Sequence, residues 1–389
     1  MDILVIGTGM YSTGRGTDSY GTILPSIIES IRAGNSIENV FFFGKNPKNT
    51  KEAEKKCAEI SAVTNICVNF TVYPREKNNI NLEDFMANLK NPTCAIIAVP
   101  DHLHYDMAKL CLETNLHTLV VKPLTPHYKD SKELADIAKK NNLFGMVEFH
   151  KRWDKANIMM KNYIENGSLG DILYCVVEYS QRKSIPTQNF IEWADKSNIL
   201  QYLGIHYIDL LYFLTNARPI RVMSIGQKNW LIKNNINTWD SIQCTIEWVS
   251  NNDYKFTQTI LTNWIDPENT SAMSDQKIKI IGTRGRFESD QKNRGQYFVS
   301  DDQKITQPNP YFCHEYHDDR SKFWSGYGID SVTSFLKDVD KLFNNSINLD
   351  ELEKTRPTFK QSLIITAIID AANKSIQNDS SWIDIKINS

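Results

Sequence analysis

The chain has no C-x-x-C pair; its seven cysteines (Cys57, Cys67, Cys94, Cys111, Cys175, Cys244 and Cys313) are scattered, several inside apolar segments. Buried, reduced thiols fit that pattern. No uninterrupted apolar stretch approaches the ~18 residues of a membrane span. An excess of one charge is missing as well: 44 basic against 46 acidic residues leave a net charge of −2 and a pI near 6.5. Without a broad positive field, neither nucleic acid nor an acidic membrane is an expected partner. The lysines between Lys48 and Lys56 alternate with glutamates, as on a solvated helix face. The eight histidines show no metal-site spacing. Met1-Asp2-Ile3-Leu4 enters a strand directly, with no basic leader segment or cleavage site, so the expected location is the cytoplasm.

At 389 residues, 41% hydrophobic and 23% charged, the composition is that of an ordered globular protein with two domains. Residues Ile3 to Ile6, Val40 to Phe43, Ile66 to Val72, Cys94 to Val99, Thr118 to Val121 and Phe144 to Glu148 read as short buried strands. Segments with helical spacing of apolar residues separate them, the first from Gly21 to Arg32. This alternation predicts an α/β fold, an N-terminal Rossmann domain with a doubly wound parallel sheet over residues 1–148. Beyond it, longer alternating segments such as Ile172 to Ser180, Asp240 to Trp248 and Lys255 to Leu261 predict a C-terminal α+β domain. It would hold a large, mostly antiparallel sheet over residues 149–389, covered on one face by helices near Gly204 to Leu214 and Phe359 to Ile376. A one-faced sheet leaves apolar surface for subunit pairing, so a homodimer or homotetramer is expected.

The first strand runs into Gly7-Thr8-Gly9-Met10. A pyrophosphate needs backbone amides at a helix start and no side chain in the way, which Gly7 and Gly9 provide. The third glycine of a G-x-G-x-x-G pattern is Ser12 here, and Gly21 is placed to take over its packing role. The dull alternative is a plain strand-to-helix turn. After the second strand, Gly44-Lys45-Asn46 contains no carboxylate for an adenosine ribose. Lys45 could instead neutralise a 2′-phosphate, with Arg15 a second phosphate contact, which favours NADP modestly over NAD. Lys122 stands directly behind Leu119-Val120-Val121 and before Pro123. In an open α/β sheet the ligand crevice lies outside the carboxyl ends of the strands, so a lysine there faces chemistry.

Pro100-Asp101-His102-Leu103-His104, followed 18 residues after His104 by Lys122-Pro123-Leu124, resembles the Gfo/Idh/MocA oxidoreductases, named for glucose-fructose oxidoreductase and inositol dehydrogenase. Glu148-Phe149-His150-Lys151-Arg152-Trp153-Asp154 and Gly204-Ile205-His206-Tyr207-Ile208-Asp209 extend the likeness over essentially the whole chain. Where the family usually has E-K-P this chain has Val121-Lys122-Pro123, and where many members carry an aspartate four residues before the histidine it has Tyr202.

The resemblance implies that Lys122 is the proton-transfer residue, with His206 and Tyr202 sharing that role or orienting the substrate. It implies cofactor contacts from Gly7, Thr8, Gly9, Met10, Arg15, Gly44, Lys45, Pro100, His104 and Lys122. Arg152, Asp154, Trp193, Tyr202 and His206 would join Lys122 in holding the substrate. The implied reaction is hydride transfer between NAD or NADP and a hydroxyl or carbonyl carbon of a sugar, sugar derivative or cyclitol, with no metal. Two other activities in the family compete with it: glycosidic bond cleavage assisted by a tightly held nicotinamide, and dinucleotide-dependent sensing without turnover. Each residue also has a duller reading, His206 as a satisfied helix histidine and Lys122 as a cofactor contact only.

Overall fold

The computed structural model describes residues 1–75, 80–302, 304–318 and 321–387. In chain order the elements begin β1 (Asp2–Ile6), α1 (Met10–Thr13), α2 (Ile23–Arg32), β2 (Asn39–Phe43), α3 (Pro47–Thr64), β3 (Asn69–Tyr73) and α4 (Leu82–Ala87). They continue through β4 (Thr93–Ile97), α5 (His104–Glu113), β5 (His117–Val121), α6 (Tyr128–Lys140) and β6 (Gly145–Glu148). Then follow α7 (Lys155–Glu165), β7 (Ile172–Arg182), α8 (Ile205–Thr215), β8 (Arg218–Gln227), α9 (Trp230–Lys233), β9 (Ser241–Val249), β10 (Lys255–Asp266), β11 (Ser274–Gly282) and β12 (Arg286–Asp290). The chain closes with β13 (His314–His317), β14 (Lys322–Ser325), α10 (Tyr327–Phe343), α11 (Leu349–Thr355), α12 (Phe359–Gln377) and β15 (Ile383–Asp384).

The chain divides into two compact units, the first made of residues 1–125, 129–153 and 311–362 and the second of residues 126–128, 154–310 and 363–389. In the first unit six strands form one sheet in the order β3-β2-β1-β4-β5-β6, every neighbouring pair parallel. Strands β1 and β4 are buried along their whole length, which is why they consist of apolar runs rather than an alternating pattern. The strand order reverses between β1 and β4, the switch point at which such sheets bind ligands outside their carboxyl ends.

The stretch from Tyr311 to Ser362 belongs to this first unit, whereas the sequence reading gave everything after residue 148 to the second. The reason lies in α10, whose Ile329, Val332, Phe335, Leu336 and Val339 enter the same buried cluster as Ile23, Ile27 and Ile28 of α2 and Phe144. Phe335 stacks on Phe144 at 5.6 Å between ring centroids.

The second unit carries a seven-stranded sheet in the order β12-β11-β7-β10-β9-β8-β15. All neighbouring pairs are antiparallel except β7 with β10, in keeping with the mostly antiparallel sheet expected. Residues of β10 alternate between buried and more exposed positions over Phe256 to Trp264, so one face is covered. The cover is supplied by α8, where Tyr207 accepts a hydrogen bond from Gln258 Nε2 at 2.7 Å, and by α12, where Ser375 Oγ accepts from the Ser224 amide at 2.9 Å. Leu173, Tyr174, Ile225 and Leu261 are exposed on these strands. Among the described residues no helix is long and apolar enough to cross a membrane.

Candidate active site

At the end of β1 the chain turns at Gly7, whose φ of +115° is a conformation that L side chains rarely adopt, and a Cβ there would sit 2.2 Å from the Ala98 carbonyl oxygen. The glycine is therefore required by the close approach of the turn to the chain just past β4. Gly9 differs: it caps α1 with ordinary negative φ, and a Cβ would meet nothing within 4 Å. Its α-carbon faces open space beside the first-turn amides of α1, which have no acceptor within the helix. Ser12 is fully buried where the fingerprint would have its third glycine. Gly21 approaches α1 so closely that a Cβ would lie 2.7 Å from the carbonyl oxygens of Met10 and Tyr11, the packing task expected of it. Arg15 Nε donates to the Thr8 carbonyl at 2.9 Å, which folds its guanidinium back over the turn. Gly44, at the end of β2, lies against Thr8, because a Cβ would be 2.6 Å from Thr8 Oγ1. Lys45 is exposed beside it. This cradle fits a dinucleotide pyrophosphate: the first-turn amides of α1 have no acceptor within the helix, and a Cβ on Gly9 beside them would meet nothing, so the glycine leaves the approach clear.

Two effects separate at these glycines. Gly7→Ala places a methyl group inside the Ala98 carbonyl at a strained φ and should destabilise the protein by about 2 kcal/mol or more, read from denaturant unfolding. Gly9→Ala meets no atom of the protein and should leave unfolding unchanged, while NAD(P) affinity measured by calorimetry falls about tenfold or more as the methyl group occupies the approach to the pyrophosphate.

Lys122 sits just past the end of β5 and is 7% exposed. Burial is the largest influence on its ammonium group and lowers its pKa to about 8, against the opposing pull of the Asp101 and Glu148 carboxylates. The peptide bond to Pro123 is cis. His104, at the start of α5, bridges this segment to the end of β4: Nδ1 lies 2.6 Å from the Pro123 carbonyl oxygen and Nε2 2.8 Å from that of Val99. Both partners are acceptors, so only a doubly protonated ring satisfies both. Burial lowers the pKa of His104, and the nearby Asp101 carboxylate raises it. His104 thus braces the strand ends and has no ring nitrogen left for the reacting atoms. Pro100 begins the turn Asp101–Leu103 ahead of it.

On β6, Glu148 is the register partner of Val121 and is fully buried. His150 Nδ1 lies 3.1 Å from each Glu148 carboxylate oxygen. The sequence reading quoted both residues but gave neither a role. The available signal was a carboxylate closing an otherwise apolar strand, the same pattern that singled out Lys122. Arg152, buried nearby in the chain, donates from Nη1 to Gln361 Oε1 at 2.9 Å.

In the second unit a turn of π-helix over Leu200–Gly204 leads into α8, placing Tyr202 and then the buried His206 at the helix start. Such turns recur at functional sites. Tyr202 is surrounded by rings: Phe190 at 5.0 Å, Trp193 at 5.8 Å and Trp264 at 5.8 Å between centroids. Trp193 and Tyr202 are half-buried members of this cluster. Asp154, expected to touch substrate, is instead committed to structure. Its Oδ1 accepts from the Ala156 amide at 3.1 Å and caps α7, and its Oδ2 accepts from Gln291 Nε2 at 2.7 Å and from Arg294. Among the described residues no group of histidine, cysteine and acidic side chains has the arrangement of a metal site.

Residues 1–149 match the family model described as the oxidoreductase family, NAD-binding Rossmann fold, and residues 158–288 match the GFO/IDH/MocA C-terminal domain. An uncharacterized oxidoreductase of Schizosaccharomyces pombe is 31% identical over 141 residues, 35% of this chain and 37% of its own length. Levoglucosan dehydrogenase of Pseudarthrobacter phenanthrenivorans is 32% identical over 123 residues, 30% of this chain and 32% of its own. The scyllo-inositol 2-dehydrogenase (NADP(+)) of Bacillus subtilis is 29% identical over 159 residues, 39% of this chain and 42% of its own. In these matches the chain spans only about a third to two fifths of the length of its curated relatives. Among solved structures, a putative myo-inositol dehydrogenase from Sinorhizobium meliloti superposes with a TM-score of 0.69 at 14% identity, covering 99% of this chain and 100% of its own. The scyllo-inositol dehydrogenase of Lactobacillus casei, solved with NAD(H) and scyllo-inositol, gives 0.67 at 13% identity, covering 99% of each chain. These two likenesses are of fold. With the family models together spanning well over half of the residues, on a parallel sheet followed by a mostly antiparallel one, the chain belongs to the Gfo/Idh/MocA oxidoreductases.

Proposed function

We propose that the protein is an NAD(P)-dependent dehydrogenase or reductase that acts on a CH–OH group of a sugar, sugar derivative or cyclitol, with NADP modestly favoured. The observation that carries this reading is Lys122, a buried lysine at the carboxyl end of a parallel strand with a pKa lowered to about 8. A group that exchanges protons near neutral pH needs a pKa close to the working pH, and an ordinary lysine is too basic for it. The first-turn amides of α1 and the open side of Gly9 would receive the pyrophosphate, with Thr8, Met10, Arg15, Gly44 and Pro100 around it. When bound, the nicotinamide gives or takes a hydride at its C4. Lys122 takes the hydroxyl proton as the carbonyl forms and returns it in the reverse direction. His206 and Tyr202 are assigned to the substrate by the family resemblance, either as relay or as hydrogen-bonding hold. Trp193 offers the aromatic face that sugars rest on, Arg152 is a substrate contact on the resemblance alone, and the Asp154 oxygens are taken up by Ala156, Gln291 and Arg294.

The support for NADP is Lys45, exposed after β2 where no carboxylate stands to bind a ribose hydroxyl or repel a 2′-phosphate. Lys45→Glu should lower NADP affinity relative to NAD by about tenfold, equivalent to ~1.4 kcal/mol. Thermal-shift titration of both variants with both dinucleotides measures it, and an unchanged ratio removes Lys45 from cofactor choice. We further place subunit pairing, as a homodimer or homotetramer, on the sheet face that exposes Leu173, Tyr174, Ile225 and Leu261. A cytoplasmic location is supported by seven unpaired thiols. A screen of sugars, cyclitols and nucleotide sugars, followed by the absorbance of reduced nicotinamide, tests the reaction class; no turnover with any of them in either direction argues against it.

A further inference from the structure

The helix that opens the glycine turn stops early. α1 spans only Met10–Thr13 and ends on Gly14 in a left-handed conformation, and α2 takes over at Ile23. The residues between them form a closed loop whose ends touch, since a Cβ on Gly21 would lie 2.7 Å from the Gly14 nitrogen. Compact loops of this kind are held by their own contacts and frequently carry function. Within it, Thr17 Oγ1 donates to the Gly14 carbonyl at 2.8 Å. Two side chains of α3 fasten it from outside. Lys56 Nζ donates to the carbonyls of Thr17 and Ser19, each at 2.9 Å, and lies 5.2 Å from the centre of the Tyr20 ring. Glu52 Oε1 accepts from the Gly16 amide at 2.7 Å. Tyr20 in turn meets Trp324 edge-on at 5.6 Å between ring centroids.

The loop carries a single cationic side chain, Arg15. Its Nε is committed to the Thr8 carbonyl, and among the described residues no hydrogen bond engages its Nη groups. Thr8 is also the residue that Gly44 packs against, so Arg15 and the chain leading to Lys45 converge on it. In this fold the adenosine ribose is read just past the second strand, and a guanidinium fork is the side chain best shaped for a phosphate on that ribose. We propose that Glu52 and Lys56 are positioning residues that latch the Gly14–Gly21 loop and thereby hold Arg15 for the 2′-phosphate of NADP. The inference deepens the dinucleotide reading of the proposed function and rests on it. A loop released from α3 presents Arg15 only part of the time, and affinity falls by that fraction.

Calorimetric titration of the full-length protein with NADP and with NAD tests the latch. Arg15→Met should weaken NADP binding about tenfold or more and NAD binding by less than about twofold. Lys56→Met should weaken NADP binding about fivefold, and Lys56→Arg, which keeps a donor, should restore most of it. Because Lys56 acts through Arg15, adding Lys56→Met to Arg15→Met should cost less than about twofold more, whereas a merely structural lysine would give additive losses. Additive losses, an NADP affinity unmoved by Lys56→Met, or equal losses for NAD and NADP in Arg15→Met each overturn the proposal, the last by placing Arg15 on the pyrophosphate. Should Lys56→Met fail to fold, Glu52→Ala releases the Gly16 amide instead, and an unmoved NADP affinity there overturns the proposal equally. A parent protein that binds both dinucleotides beside unaffected variants defeats the latch and leaves the proposed function standing; a parent that binds neither defeats both.

Discussion

Replacing Lys122 with alanine lowers turnover by about a hundredfold or more and leaves dinucleotide affinity within a few-fold, because general acid–base groups contribute ~10² to 10⁴ in rate. The size of the effect follows from where the amine sits. A lysine at 7% exposure has lost most of its water, so its charged form is disfavoured and its pKa falls to about 8. In the oxidising direction the neutral amine must accept the hydroxyl proton, so activity should climb with pH through about 8 and level off above it. In the reducing direction the ammonium must donate, and activity should decline over the same range. The same sign applies to stability. A lysine whose folded pKa lies below its unfolded value makes the folded state bind fewer protons, so folding gains stability as pH rises between about 8 and the ordinary value of 10.5. Lys122→Ala should flatten that dependence. If Lys122 merely held the cofactor, the alanine variant would lose affinity and keep its turnover at saturation.

Asp154→Ala should destabilise the protein by about 3 to 5 kcal/mol, the cost of leaving one member of a buried ion pair without its counterpart. Asp154 and Arg294 show 1% and 10% side-chain exposure, so water cannot replace the missing carboxylate. The variant also forfeits the cap on α7, worth ~1 kcal/mol, and the hydrogen bond from Gln291. Asp154→Asn keeps an oxygen for the cap and should lose less. Urea unfolding of the three proteins measures the series. An Asp154→Ala protein as stable as the parent but devoid of turnover would return this residue to the substrate.

The centre of the parallel sheet is legible in the sequence because β1 and β4 are buried along their whole length, an environment that mainly apolar runs satisfy. Strand ends were less sharp: Asn39, Asn69 and His117 belong to strands β2, β3 and β5 although their side chains are polar or ionisable, since a strand end needs only its backbone partners. The second sheet was readable from period-two alternation, but its parallel β7–β10 pairing was not, because pairing partners are not encoded in either strand alone. The apolar stripe of α10 is a local feature, whereas the core that it enters is not, and so its chain segment was placed with the wrong unit. The same limit governs the site. Lys122 and the glycine turn are single-strand features with their own logic. Asp154 resembled a substrate ligand because it closes a motif, yet its partner Arg294 lies 140 residues away. Glu148 becomes a neighbour of the lysine segment only once β5 and β6 lie side by side.

The most direct measurement is the pH dependence of kcat/KM in the oxidising direction, taken with the sugar or cyclitol that turns over fastest and compared between the parent and Lys122→Arg. The account predicts an ascending limb with a midpoint near the lysine's lowered value of about 8, and its loss in the arginine variant, which cannot shed its proton. A parent profile that is flat from neutral to alkaline pH, or a limb that survives the substitution, would contradict it.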